Sequence, residues 1–162
     1  MNMLEKLKTM RLCLDKLILS VTSVLFVVMI VIVFLQVVAR YVFSSSLSWS
    51  EEIARFLLVW TIFLAAGYTL GQGSHIFLDV VFNSFPRSWQ KVLRRFSGVM
   101  LLGFSYVLTN YGLEMVRIGS RQTSSAVGVP MWLVYSAIPV GGVLLIIYCL
   151  FEIILGQEEI KA

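Results

Sequence analysis

The chain has 162 residues, of which 59% are hydrophobic and only 14% charged, with a net charge of +4 and a mean hydropathy of +0.89. Soluble domains hold about 45–50% apolar and about 25% charged residues, so a water-soluble fold of this length would lack the polar side chains to cover its surface. The composition excludes a soluble globular protein and indicates an integral membrane protein.

The first fifteen residues, MNMLEKLKTMRLCLD, alternate basic and apolar positions at near-helical spacing, so residues 1–16 are expected to lie as an amphipathic helix on the cytoplasmic surface. A spanning helix needs about 20 predominantly apolar residues. Leu17 to Ala39 qualifies, with Gln36 as its strongly polar member. Its apolar core is too long for the roughly 7–15-residue h-region of a signal peptide, so it reads as a retained span. Ile53 to Leu70 qualifies next. Phe96 to Met115 follows, more mixed, with Thr109, Asn110 and Glu114 near its end, and Met131 to Leu155 is apolar except for Ser136 and Glu152. The reading is an all-α integral membrane protein forming one domain over residues 1–162, with spans at 17–40, 53–72, 94–116 and 131–155.

Between the second and third spans, HIFLDVVFNSF is too short to cross a bilayer. Read as a helix over 75–86, it aligns His75, Asp79 and Asn83 in one polar stripe against an apolar face, as a helix in the interface plane would. GQGS before it and Pro86 after it supply the breaks. His75 and Asp79 at i, i+4 are read as interfacial anchors rather than metal ligands, because no third ligand accompanies them. TSSAVGVP, residues 123–130, reads as a loop ahead of the fourth span.

Orientation follows from the basic residues. Lys6, Lys8, Arg11, Lys16, Arg87, Lys91, Arg94, Arg95 and Lys161 are nine of the thirteen, against Arg40, Arg55, Arg117 and Arg121 on the other side. The positive-inside rule then puts both termini in the cytoplasm. Trp49 and Trp132 fall at the outer interface and Trp89 at the inner one, with Trp60 well inside a span. These charges are topology signals, not a nucleic-acid surface. Cys13 and Cys149 lie far apart in sequence with no CxxC or metal spacing, and read as packing residues.

Chemistry-bearing patterns are missing. There is no GxxxxGK[ST] loop, no HExxH and no Ser/His/Asp set, and one histidine cannot supply two axial haem ligands, so neither an enzyme nor a cofactor is indicated. Transporters commonly hold ionisable residues deep in their spans. Here Arg40, Glu114, Arg117 and Glu152 all fall near helix ends. Such a chain is most simply a subunit of something larger.

The charged stretch RYVFSSSLSWSEEIARF, residues 40–56, is the most informative. Glu51 and Glu52 open the second helix, where the helix dipole favours negative charge and Ser48 or Ser50 can cap. Glu51 and Arg55 are spaced to pair along the helix, which leaves Glu52 to face Arg40 across the hairpin. The expected role of Arg40, Glu51, Glu52 and Arg55 is a clamp at the membrane edge that also serves a partner. Gly67-x-x-x-Gly71 permits close helix contact, within the chain or with another.

FLQVVARYVF, LSWSEEIARFLLVW and AAGYTLGQGSHIFLDVV, together with the four-span plan, resemble the small membrane subunit (Q, DctQ-like) of tripartite ATP-independent periplasmic (TRAP) transporters. The resemblance covers nearly the whole chain, but beyond about residue 90 it is one of hydrophobic layout. It implies a scaffold in the bacterial inner membrane, held in the bilayer against a large membrane subunit that imports an organic acid with sodium. A periplasmic binding protein would capture that acid, sialic acid being one candidate, and meet the complex at the periplasmic face. The competing readings are an autonomous four-helix transporter acting as a homodimer and the membrane anchor of a redox complex.

Overall fold

A computed structural model describes the backbone of residues 3–44, 47–71 and 87–159 and the side chains of residues 5–44, 47–70 and 96–151. The expected interfacial helix over 75–86, with His75 and Asp79, lies outside the described residues, as do the side chain of Trp89 and the surroundings of Gly71. The helices are α1 (Met3–Val42), α2 (Ser48–Gly71), α3 (Arg87–Gly119), the short α4 (Met131–Tyr135) and α5 (Ala137–Glu159). Four segments are long and apolar enough to cross a membrane: Glu5–Val42, Ser48–Leu70, Phe96–Gly119 and Met131–Phe151.

The N-terminal basic segment is continuous with the first span. No glycine or proline interrupts residues 3–42, so one helix of 40 residues forms, about 60 Å long at 1.5 Å per residue. That is about twice the thickness of a hydrocarbon core, and the basic end projects beyond it. The fourth span, in contrast, is broken. Pro139 has no N–H to offer the carbonyl four residues earlier, and the helix divides between Tyr135 and Ala137.

The spans form an open row, not a closed bundle. α1 lies along α2, α2 along α5, and α5 along α3, while α1 meets α5 only locally. Contacts at Phe63–Gly141 and Gly67–Leu144 run in the same sequence direction, so α2 and α5 are parallel. Those at Gly112–Pro139 and Gly119–Tyr135 run in opposite directions, so α3 is antiparallel to α5. Residues near 42, 48, 119 and 131 therefore share one end, called here the hairpin end.

Burial follows the row. Only 6% of the apolar window of α1 and 11% of that of α3 is buried, against 44% in the fourth span. On α1 the less exposed residues include Arg11, Asp15, Ile18, Thr22, Leu25, Met29, Ile32, Gln36 and Ala39, which recur at alternating steps of four and three, with Leu7, Leu14 and Val38 also half-buried. This is the narrow seam of a coiled-coil contact, directed at α2. The core cluster of Ile18, Leu64 and Tyr148, with Leu14, Leu25, Trp60, Tyr68 and Leu144 against it, closes the α1–α2–α5 side.

Candidate interaction site at the hairpin end

The charged residues singled out by sequence gather at the hairpin end, but they are wired differently from the expected clamp. Glu51 and Arg55 do pair, Arg55 Nη2 donating to Glu51 Oε1 at 3.1 Å, with both side chains more than half exposed. Glu52 does not face Arg40. Its carboxylate accepts three successive backbone N–H groups of the α3–α4 loop: Ser125 at 3.2 Å on Oε1, and Ala126 at 3.0 Å and Val127 at 3.1 Å on Oε2. Arg40 sits exposed in the last turn of α1, and among the described residues it takes no part in an ion pair.

The physical reason is local. A run of backbone N–H groups turned to one side forms an anion-binding nest, and a charged acceptor there makes bonds that a solvated arginine cannot match. The loop is built to hold that shape. Ser124 N–H donates to Val129 O, Gly128 N–H to Ser124 O, and Met131 N–H to Gln122 O. Thr123 and Pro130 form an isolated bridge, and Val129 N–H reaches the Ser124 hydroxyl. Gly128 has φ of +73°, a conformation that a side chain would disfavour.

The serines also depart from expectation. Ser50 lies inside the first turn of α2, and its hydroxyl donates back to Leu47 O at 2.7 Å rather than accepting a helix N–H. It is buried, while Trp49 beside it and Trp132 on α4 are both partly exposed. Trp49 and Ser50 border an apolar groove of about 280 Å³ between α1 and α2 with Ile32, Leu35, Val38 and Phe43.

Trp60, Asp15 and Tyr148 hold structural roles that the sequence does not show. Trp60, read as lying within a span, donates its indole N–H to Leu133 O at 3.2 Å, a carbonyl that also accepts the Ser136 hydroxyl at the helix break. Pro139 marks a helix break nearby, but the carbonyl it deprives of a donor is that of Tyr135, so the sequence pointed to the region and not to Leu133. Asp15 accepts the Tyr148 hydroxyl at 2.6 Å, with both residues buried at the opposite end of the row. A carboxylate just before an apolar run carries no sequence sign of a partner 133 positions away. Gly67, expected to pack, is buried against α5, where a Cβ would meet Leu144 Cβ at 3.0 Å. Cys149 is buried as expected of a packing residue, its thiol donating to Gly98 O at 3.8 Å, whereas Cys13 is exposed on α1 and does not pack as expected; the two form no disulfide.

Residues 29–158 match the family model described as the DctQ component of tripartite ATP-independent periplasmic transporters. The chain belongs to the DctQ family. Over 116 residues it is 31% identical to a TRAP transporter small permease protein of Haemophilus influenzae, covering 72% of each chain. It is 34% identical over 104 residues to the C4-dicarboxylate TRAP transporter small permease protein of Rhodobacter capsulatus, covering 62% of this chain and 45% of that one. It is also 26% identical over 121 residues to the sialic acid TRAP transporter permease protein SiaT of H. influenzae, where the match is 75% of this chain but only 20% of that much longer one. As a DctQ-family member the chain is a TRAP small permease subunit, a multi-pass transport protein and not an enzyme. Small subunits of this kind work with a large membrane subunit and a binding protein. The homodimeric transporter and the redox anchor are displaced by this assignment.

Proposed function

We propose that this chain is the membrane scaffold of a sodium-driven TRAP transporter importing a small organic acid. It sits in the bacterial inner membrane with both termini in the cytoplasm and the hairpin end at the periplasmic face. The observation that carries the scaffold role is the open row of spans. Four helices side by side leave two broad apolar faces, with large side chains such as Phe34, Val31, Phe104 and Val107 exposed. Such surfaces suit lipid and a larger membrane partner. The SiaT match supports that partner, since four fifths of that longer polypeptide lies beyond the matched segment.

The orientation rests on the basic residues. Lys6, Lys8, Arg11 and Lys16 lie towards the end of α1 opposite the hairpin, as the positive-inside rule asks of a cytoplasmic end. Relatives named for C4-dicarboxylate and for sialic acid support an organic acid as the substrate class, and sialic acid is the first to test.

The test is a mild-detergent pull-down from the native membrane with intact mass, followed by uptake into proteoliposomes. A stoichiometric large multi-span partner and sialic acid uptake that needs a sodium gradient are expected. A homodimer alone, or uptake unaffected by removing this chain, would overturn the scaffold role. Labelling of a cysteine placed at Ser45 only from the cytoplasmic side would overturn the orientation.

A further inference from the structure

The apolar groove between α1 and α2 has a volume of about 280 Å³. Ile32, Leu35, Val38 and Phe43 wall one side of it, and Leu47 and Trp49 the other. The Ser50 hydroxyl at its edge already donates to Leu47 O, so below Trp49 the walls present hydrocarbon alone.

Its dimensions restrict what can lie there. Residues 32–43 of α1 rise about 16 Å at about 1.5 Å per residue. That is about half of a hydrocarbon core of about 30 Å, the depth of one leaflet. A volume of this size spread over that length cannot admit a helix, which is about 10 Å across with its side chains. A single hydrocarbon chain fits both the length and the chemistry.

Two polar groups stand unused at the mouth. Arg40 lies in the last turn of α1, between the lining residues Ala39 and Phe43, and Trp49 lies in the first turn of α2. Both are exposed, and neither has a hydrogen-bond or ion-pair partner among the described residues. Tryptophan and snorkelling arginine both sit at headgroup depth, and a guanidinium presents a planar fork that matches a phosphate. The carboxylates of this end do not compete for Arg40, because Glu51 is paired with Arg55 and Glu52 is held by the α3–α4 loop.

We propose that this groove is a glycerophospholipid site, holding one acyl chain along α1 while the Arg40 guanidinium and the Trp49 indole N–H bind the phosphate. The lipid is then a fixed part of the α1–α2 seam rather than exchanging solvent. The site goes beyond the scaffold role, and it holds whichever side of the membrane the hairpin end faces.

The experiment uses the full chain in dodecyl maltoside, alone and with its large subunit, and counts retained phospholipid by native mass spectrometry. The probe is dioleoyl phosphatidylglycerol, titrated onto washed protein. One lipid per chain is expected to survive washing. Arg40→Gln is expected to weaken its binding about tenfold, as loss of a charge-assisted hydrogen bond does, and Arg40→Lys by no more than about threefold. Ala39→Phe fills the groove and abolishes retention, whereas Val107→Phe, on the exposed face of α3, leaves it unchanged. A photoreactive group in the acyl chain should label residues 32–50.

Wild-type retention by Arg40→Gln would overturn the proposal, and because Arg40 is exposed that variant does not depend on the fold tolerating a core change. Equal loss in Val107→Phe would also overturn it, since lipid would then coat the chain without a site. So would displacement of the lipid when the large subunit is added, which would give the groove to a protein segment instead.

Discussion

The two outer helices are attached to the central pair in opposite ways. At the α3–α5 seam the backbones almost touch. A Cβ on Gly142 would collide with the Thr109 hydroxyl and lie 3.1 Å from Thr109 N, and one on Gly112 would lie 2.8 Å from Pro139 Cδ. Ser105, fully buried between them, turns its hydroxyl back to Leu101 O. At the α1–α2 seam large side chains meet instead, Ile18 and Leu25 against Leu64 and its neighbours, and Asp15 reaches across to Tyr148 on α5. Apolar contact between helices gains little in lipid, because lipid tails are equally apolar. Close backbone approach and interhelical hydrogen bonding are the remaining means of association, and the chain uses one on each side. The glycine seam should be sensitive to added volume, and the side-chain seam to a lost polar bond.

The largest effect is expected from Gly142→Leu. Overpacking of a filled interior costs about 1–3 kcal/mol, and here the collision is with backbone as well as side chain, so about 3 kcal/mol is expected. Gly103 is exposed in the middle of α3, with nothing within 4 Å of a Cβ, so Gly103→Leu should cost nothing and stabilise by up to about 1 kcal/mol through helix propensity. Thermal unfolding of the two variants in the same detergent measures the difference. Equal losses would mean that the seam is not set by glycine, and the contrast between the two sides would fail.

Tyr148→Phe comes next. It removes the donor from a buried carboxylate without changing shape, and should cost about 1–2 kcal/mol, less than in water-soluble cores because a lipid-embedded chain finds other partners. Asp15→Asn keeps an acceptor and should cost less. If Tyr148→Phe is neutral, α1 is held by its apolar stripe alone. Thr22 sharpens the same seam from the other side. Its hydroxyl is buried with no hydrogen-bond partner among the described residues, so Thr22→Val should stabilise the chain by about 0.5–1 kcal/mol. A loss instead would show that the hydroxyl is used.

How much of this was legible follows from what each signal reports. The spans were legible because an apolar run of sufficient length has few other homes. The third, the most mixed in composition, still formed a helix over Phe96–Gly119. Partners across the row were not legible. Gly67 and Gly71 stand out by spacing, whereas contacts tighter than that of Gly67 are at Gly112, Gly119, Gly141 and Gly142. A small residue says that something approaches closely, never what. Glu52 illustrates the same limit. Its place in the first turn of α2 fixed where it would begin, but the nest that receives it lies 73 to 75 positions on, in a loop that sequence could mark only as a loop. Arg40 is the partner that nearness in sequence suggests, and nearness in sequence does not decide it.

The smallest effect is expected from Arg55→Gln, and it bears most directly on the original clamp. The pair with Glu51 is one helical turn apart, with side chains 65% and 60% exposed, and pairs of this kind contribute about 0.3–0.5 kcal/mol. Glu51→Gln should match it, and the double variant should cost no more than either. Measured on the isolated chain, those values leave the pair with no structural task that its exposure would justify. The informative comparison is with the assembled transporter. If uptake falls by a factor greater than this stability change can produce, Arg55 and Glu51 are contact residues for another subunit. If uptake and stability change together by the same small amount, the pair does no more than stiffen the first turn of α2, and the weight of the hairpin end rests on Glu52 and its loop.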